Sequence, residues 1–241
     1  MIKLVSLNVE RSKHLKRVLP FLEQTQADVV CLMEVMERDL ELFKKAVGPY
    51  GEFVAMTMHP AEGDPGVMGI VILSRLPIQK TSVKYYAGSQ DKIPDFETIT
   101  AEGKHANNHM LLVCEIEKEG SNYAVATTHF TWTPTGDATD PGQRRDVLEL
   151  LSALKECDEF VLTGDFNATR GGEIFSQIAA VYKDNVPQKY TTSIDGMFHR
   201  AGQLPYMVDG LFSTPHYALS NVEMVCGLSD HCGFTASVSK S

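Results

Sequence analysis

The stretch Phe160-Val161-Leu162-Thr163-Gly164-Asp165-Phe166-Asn167-Ala168 constrains the fold of this chain more than any other. Its apolar start, bounded by a glycine turn, reads as a buried strand. The strand then delivers a carboxylate and an amide two residues apart. Residues i and i+2 of a strand share a face, so Asp165 and Asn167 are expected to aim at one point while Phe166 turns into the core. A second stretch, Gly227-Leu228-Ser229-Asp230-His231-Cys232-Gly233, precedes the last apolar run and offers a carboxylate beside an imidazole. The two stretches are expected to face each other.

The rest of the chain supplies the frame. Ile2 to Leu7 and Asp28 to Met33 read as strands on either side of a helix over Glu10 to Gln24, in which Pro20 signals a kink or an early stop. The continuous apolar run to Met33 suits a strand covered on both faces, and strand–helix–strand implies a right-handed crossover. A second helix is expected over Arg38 to Val47. Strands follow over Glu52 to Met58, Met68 to Leu73, Ile78 to Tyr85, Asn108 to Ile116 and Tyr123 to Thr128. Then come a helix over Gly142 to Lys155, the strand from Phe160, a short helix around Glu173 to Ala180, and closing strands over Met207 to Phe212, Ala218 to Val225 and Gly233 to Val238. This pattern predicts an α/β fold of two packed mixed sheets with helices outside. No linker or repeat divides the chain, so residues 1–241 read as one domain. The long polar connections 59–66, 87–107 and 131–141 are where substrate choice is expected.

Composition narrows the partners. A formal charge of -9 argues against a protein that coats long duplex nucleic acid, but leaves phosphate substrates open if a divalent metal supplies local positive charge. The five cysteines, Cys31, Cys114, Cys157, Cys226 and Cys232, form no CxxC pair, which disfavours structural zinc. Their odd, scattered set fits a reducing compartment. With no apolar run approaching a membrane span and no evident signal peptide, the expectation is a cytoplasmic protein without membrane insertion, acting as a monomer.

Polar residues recur where apolar runs stop. Asn8, Glu34, the Asp165/Asn167 pair and Asp230/His231 each follow apolar residues, His129 closes Ala124-Val125-Ala126-Thr127-Thr128, and Asp209 interrupts Met207-Val208-Asp209-Gly210-Leu211-Phe212. Ligands of α/β proteins collect at strand ends, and carboxylates with few competing thiols suit a hard cation, Mg2+ or Mn2+. Singly, each residue has a plainer role: Asn8 as a turn former, Glu34 as a helix cap, His129 as a core histidine. The weight lies in the combination.

Ser6-Leu7-Asn8, Leu32-Met33-Glu34-Val35, Thr128-His129-Phe130, Thr163-Gly164-Asp165-Phe166-Asn167, Val208-Asp209-Gly210-Leu211-Phe212 and Ser229-Asp230-His231 resemble, in this order, the motifs of the endonuclease/exonuclease/phosphatase superfamily. The resemblance runs from Ile2 to about Val238. It implies a four-layer α/β sandwich with its site at one edge of the two sheets, and metal-dependent cleavage of a phosphoester. It also implies roles. Glu34 would be the principal metal ligand with Asn8 beside it, and Asp230 would complete the metal shell. Asp165 would position or deprotonate the attacking water, and Asn167 would hold a phosphate oxygen. His231, paired with Asp209, would stabilise the transition state, and His129 would donate to a non-bridging oxygen.

Within the superfamily, Thr128-His129-Phe130 departs from the pattern of abasic-site enzymes. Gln143-Arg144-Arg145 and the helix it opens look most like the 5′-tyrosyl-DNA phosphodiesterase branch. The implied partner is a phosphodiester, first of all at a nucleic-acid end, with Arg144 and Arg145 as cations near the phosphate and Trp132 stacking on a base or aromatic group. Lipid or inositol phosphates and general nuclease substrates are the alternatives. The superfamily's usual Arg before the strand at Asn108 has no counterpart, so Lys104, His105 or His109 is the candidate stand-in.

Overall fold

Two strand–helix–strand units form the frame. In the first, β1 (Ile2–Asn8) leads through α1 (Leu15–Thr25) to β2 (Val29–Met36), which lies parallel to β1. Then come α2 (Leu40–Val47), β3 (Tyr50–His59), β4 (Gly66–Ser74), β5 (Ile78–Ala87) and β6 (His109–Lys118). In the second unit, β7 (Ser121–His129) leads through α3 (Pro141–Lys155) to β8 (Val161–Asp165), again in parallel. The chain closes with α4 (Glu173–Ala179), β9 (Lys183–Asp184), β10 (Asp209–Ser213), β11 (Tyr217–Val225) and β12 (Gly233–Lys240). The structure, a computed structural model, describes residues 1–134 and 138–241. The connection 131–141 therefore lies partly outside the described residues.

The strands form two six-stranded mixed sheets, ordered β11-β12-β1-β2-β4-β3 and β5-β6-β7-β8-β10-β9. Alternation along the strands sets the layers. On β1 and β2, Leu4, Val29, Cys31 and Met33 face the other sheet and pack with Met110, Leu112, Cys114, Val125 and Val161. Val5, Leu7, Val30 and Leu32 face the opposite way, onto Val18 and Leu22 of α1 and Phe43 and Val47 of α2. The second sheet does the same, with Leu111, Ala126 and Leu162 turned onto Val147, Leu150 and Leu154 of α3 and onto Ile174, Phe175 and Ile178 of α4. The result is the four-layer α/β sandwich, helices–sheet–sheet–helices. Each buried Leu, Ile or Val contributes ~1.5–3 kcal/mol of transfer free energy. No helix among the described residues is long and apolar enough to cross a membrane.

Three local expectations are corrected. The first helix starts at Leu15 rather than Glu10, because Glu10 (φ 48°) and Arg11 (φ 64°) adopt left-handed backbone that a right-handed helix cannot contain. Pro20 lies inside α1 and does not end it. The cysteines are not all free thiols: Cys226 and Cys232 form a disulfide, while Cys31, Cys114 and Cys157 are unpaired. That bond removes the cysteine argument for a reducing, cytoplasmic setting.

Candidate active site

Both parallel units end their strands at the same edge of the sandwich, and the site is built there. β1 ends on Asn8 and β7 on His129. Glu34 does not end β2, as the apolar run suggested. It sits in a bulge: Leu32 pairs with Val71 and Val35 with Gly69, so β2 carries one extra residue. Glu34 takes left-handed backbone there (φ 57°), a conformation uncommon for a non-glycine residue, and the bulge re-aims its side chain.

At the end of β8, Gly164 permits a close approach to β7: a Cβ there would stand 2.2 Å from the Thr128 carbonyl oxygen. The strand stops at Asp165, so Asn167 does not share a strand face with it. Instead Asn167 turns into left-handed backbone (φ 46°), and its N–H donates to Asp165 Oδ1 at 2.8 Å. This Asx turn, with Phe166 fully buried beneath it, brings the amide back beside the carboxylate. Asn167 Nδ2 donates one hydrogen to the Phe130 carbonyl at 2.9 Å. Asp209, first residue of β10, pairs in register with Asp165. Asp230 and His231 lie in the loop between β11 and β12 rather than at a strand end, and His231 bridges to Ile194. The Cys226–Cys232 disulfide closes that loop.

The side chains meet in one chain of contacts. Asp209 Oδ2 is 2.7 Å from His231 Nδ1, so that nitrogen donates. His231 Nε2 stands 3.7 Å from Asp165 Oδ2, too long for a hydrogen bond. Asn8 Nδ2 donates to Asp165 Oδ2 at 3.1 Å and to Glu34 Oε1 at 3.2 Å. His129 Nε2 lies 3.5 Å from Asp165 Oδ2 and 3.9 Å from Glu34 Oε1, and its Nδ1 is buried with no hydrogen-bond partner among the described residues. Ser229 Oγ donates to Asp230 at 3.1 Å.

Electrostatics follow from these neighbours. Burial alone would lower the His231 pKa, but the Asp209 and Asp165 carboxylates raise it well above its ordinary value, so the ring is held as a cation. His129 is likewise raised against its burial, chiefly by Asp165. Burial would raise Asp165, yet His231 and His129 hold it well below the usual carboxylate range. Burial pushes Asp230 up to about 6, and the negative charges of Glu34 and Glu10 push the same way. This corner of the site therefore holds negative charge that the protein only partly neutralises.

Such a donor set fits a hard divalent cation. Glu34 and Asp230 offer carboxylate oxygens without a thiolate among them, while the Asn8 amide turns its Nδ2 to Glu34 and Asp165 and its Oδ1 accepts the Glu10 N–H at 3.1 Å. Asp165, Asp209 and His231 also lie with ligand atoms within 4.8 Å of one another. There, however, the short Asp209–His231 hydrogen bond occupies Nδ1, and the other ring nitrogen stands 3.7 Å from Asp165, so an ion in that trio would have to displace the imidazole's bond to Asp209 or bind through Nε2 alone.

Other expected residues stand apart. Arg144 forms a bidentate pair with Glu173 at 2.8 Å for both bonds, and Arg145 pairs with Glu102 and Asp146, each at 3.1 Å. Both guanidiniums are more than half exposed. In that motif it is the buried Gln143 that reaches inward, donating to the Thr131 carbonyl at 2.8 Å and the Asn167 carbonyl at 3.0 Å. Trp132 is 43% exposed, two residues past Phe130. Sequence reasoning missed Arg11, whose Nη1 donates to Glu34 Oε2 at 2.9 Å. Its one signal was its place three residues after Asn8, obscured by a left-handed turn that contains no glycine.

Residues 5–231 match the model of the Endonuclease/Exonuclease/phosphatase family, and the chain belongs to that family. Family members are hydrolases of phosphoester bonds. No curated protein sequence matches the chain. Among solved structures, an endonuclease/exonuclease/phosphatase from Bacteroides vulgatus superposes with a TM-score of 0.75 at 15% identity, covering 100% of this chain and 99% of the other. The Bacteroides thetaiotaomicron mannosyl-6-phosphatase Bt3783 superposes with a TM-score of 0.72 at 11% identity, covering 99% and 100%. A humanized D. rerio TDP2 superposes with a TM-score of 0.66 at 15% identity, covering 99% of each. At these identities the likeness is one of fold.

Proposed function

We propose that the protein is a divalent-metal-dependent phosphodiesterase. The observation that carries this reading is the cluster in which Asp209, His231, Asp165, Asn8 and Glu34 each lie within 3.7 Å of the next, with the second imidazole, His129, 3.5 Å from Asp165. Glu34, Asn8 and Asp230 would hold Mg2+ or Mn2+, which when bound neutralises charge on the phosphoryl oxygens.

The chain's own residues do the rest. Asp165, kept ionised by His231 and His129, aligns the attacking water and accepts its proton. Asn167, its orientation fixed by the Phe130 carbonyl, presents its second Nδ2 hydrogen to a phosphate oxygen. His231 donates from Nε2 to the oxygen that gains charge in the transition state, while Asp209 holds its other nitrogen. His129 donates to a non-bridging oxygen from Nε2, the ring nitrogen that faces Asp165 and Glu34.

For substrate, the first choice is a phosphodiester at an accessible DNA end, with a 5′-tyrosyl adduct foremost. Trp132, exposed beside the end of β7, supports this as a stacking surface. The charge of -9 restricts binding to a few contacts at the end, about two to four phosphates, with a correspondingly shallow salt dependence. A second reading, small soluble or lipid-borne phosphate esters, draws support from the pairing of Arg144 and Arg145 with carboxylates, which leaves the helix without a cation turned to a nucleic-acid backbone. The test is a panel assay in Mg2+ or Mn2+ with a 5′-phosphotyrosyl oligonucleotide, abasic duplex, single-stranded DNA and RNA, sphingomyelin, and inositol and sugar phosphates. Preference for the tyrosyl oligonucleotide supports the first reading. Rapid hydrolysis of a small ester with the oligonucleotide untouched supports the second, and no turnover of any substrate overturns both.

A further inference from the structure

Three basic side chains near Asn108 are engaged with partners of their own. Lys104 Nζ pairs with Asp140 at 2.7 Å. His105 stacks on Phe96 with ring centroids 4.0 Å apart and bonds the Phe96 carbonyl through Nδ1. His109, buried at the start of β6 beside β7, donates from Nδ1 to the His129 carbonyl at 2.9 Å.

Arg11 stands at the carboxylates instead. Its Nη1 donates to Glu34 Oε2 at 2.9 Å, and Nη2 and Nε reach Glu62 Oε1 at 2.9 and 3.3 Å. A weaker contact runs from Nη2 to Glu10 at 3.4 Å. The side chain is only 13% exposed. The backbone holds it there, since Arg11 N–H donates to the Glu34 carbonyl at 3.0 Å. Glu10, Arg11 and Glu62 all adopt left-handed backbone, with φ of 48°, 64° and 55°. Strain of this kind persists only where surrounding contacts enforce it, and it gathers at ligand clamps.

Two features turn this placement into a phosphate contact. The first is direction. Glu34 has Arg11 on one oxygen and Asn8 and His129 on the other. A phosphoryl group sharing a cation with Glu34 must lie beside that carboxylate and hence beside the guanidinium. Guanidinium has five N–H donors, and the four contacts above leave one Nη1 hydrogen over. The second is charge. Without a metal, the three carboxylates Glu34, Glu62 and Glu10 outnumber the two cations among them, Arg11 and Lys13. Once Glu34 gives its charge to a cation, the chief remaining partner is Glu62, whose side chain is 50% exposed and so is screened by solvent. Arg11 then becomes the under-compensated cation of the site.

We propose that Arg11 is a further phosphate-binding side chain of this site, supplied by the turn after β1, and that cation binding at Glu34 is what frees it for phosphate. This rests on the metal-dependent phosphoesterase reading above.

The test is titration calorimetry of inorganic phosphate, with and without saturating Mg2+, on wild type, Arg11→Ala and Arg11→Lys, together with titration of Mg2+ alone. Wild type should bind phosphate far more tightly with Mg2+ than without it. In Mg2+, Arg11→Ala should weaken phosphate binding about 10- to 100-fold, the range for losing a charge-assisted hydrogen bond. Arg11→Lys, which keeps the charge and loses the fork, should fall between. Mg2+ should bind Arg11→Ala at least as tightly as wild type, because a competing cation has gone. Thermal melts verify that both variants fold, and Glu62→Gln, which removes only the outer partner, should bind phosphate in Mg2+ at least as tightly as wild type. Phosphate binding by folded Arg11→Ala equal to wild type in Mg2+ would overturn the assignment. So would a joint loss of Mg2+ and phosphate binding, which would make Arg11 a prop for Glu34. Wild type that binds Mg2+ but not phosphate overturns the Arg11 assignment alone, whereas wild type that binds neither overturns the metal-dependent reading as well.

Discussion

His231 Nδ1 and Asp209 Oδ2 lie 2.7 Å apart with both side chains buried, and the opposite ring nitrogen faces Asp165 at 3.7 Å. The imidazole thus has one nitrogen fixed and one directed at the reacting centre. His231→Ala should lower kcat by about 10²- to 10⁴-fold with little change in KM, as for loss of a transition-state donor. Asp209→Asn should produce a smaller loss. The double variant should be no worse than His231→Ala alone, because Asp209 acts through the ring. Steady-state kinetics of the three variants check this; additive losses would separate the two residues.

Glu34→Gln should abolish turnover and weaken Mg2+ binding, with the melting temperature little changed. Its side chain accepts from Asn8 and Arg11, and the amide oxygen of the variant still accepts from one of them at this half-buried position. Wild type stripped of metal and assayed in excess EDTA should be inactive and should recover on adding Mg2+ or Mn2+. Full activity in EDTA would remove the metal from the mechanism.

His109 provides a pH probe away from the carboxylates. Burial pushes its pKa down to about 4, with the His129 carbonyl accepting from Nδ1 as a partial offset. A group with a depressed folded-state pKa binds protons more readily when unfolded. Its stabilisation is therefore complete above the unfolded value near 6.5 and is lost as pH falls toward 4. The window corresponds to on the order of 3 kcal/mol, at ~1.4 kcal/mol per pH unit. Urea melts of wild type and His109→Gln at pH 7 and pH 4.5 should show wild type losing more stability on acidification than the variant. An equal loss would mean that His109 does not titrate in this window.

The Cys226–Cys232 bridge closes a short loop around Ser229, Asp230 and His231. Chain-entropy arguments put such a cross-link at about 2 kcal/mol. A mild thiol reductant, or a Cys226→Ser/Cys232→Ser variant, should lower the melting temperature and reduce kcat together, since both site residues lie inside the loop. Unchanged kcat in the reduced protein would show that contacts such as Cys232 N–H to the Ser193 carbonyl, at 2.7 Å, hold the loop unaided.

Arg144→Ala and Arg145→Ala should each leave kcat/KM within about threefold of wild type. Both guanidiniums are paired and exposed, and such pairs are worth ~0–1 kcal/mol. A large loss confined to nucleic-acid substrates would instead restore them as phosphate contacts. Gln143→Ala should cost more than either, because it removes two hydrogen bonds that fasten the ends of β7 and β8.

The sandwich was legible because its strands alternate between two buried environments. Val29, Cys31 and Met33 pack between the sheets while Val30 and Leu32 pack under helices, and both kinds of neighbour demand apolar residues. The polar strand ends were legible for the opposite reason, since a carboxylate or amide after such a run has nowhere to go but the edge. Three features were hidden. The Glu34 bulge and the left-handed Glu10–Arg11 turn contain no glycine to announce them. The disulfide joins cysteines six apart in sequence, whose closeness depends on how the β11–β12 loop folds back. Arg144 and Arg145 show a limit of the sequence, because a basic pair at a helix start looks the same whether it meets phosphate or Glu173.

The hydrogen bond from Asn8 to Asp165 spans 157 residues and joins the first sheet to the second. Neither half of the molecule holds the whole cluster: Asn8 and Glu34 come from the first sheet, His129, Asp165 and Asp209 from the second. Contacts so distant along the chain are expensive to close and slow to form. In a refolding experiment, backbone circular dichroism should recover first and turnover last, so the return of enzymatic rate would time the moment at which the two sheets dock.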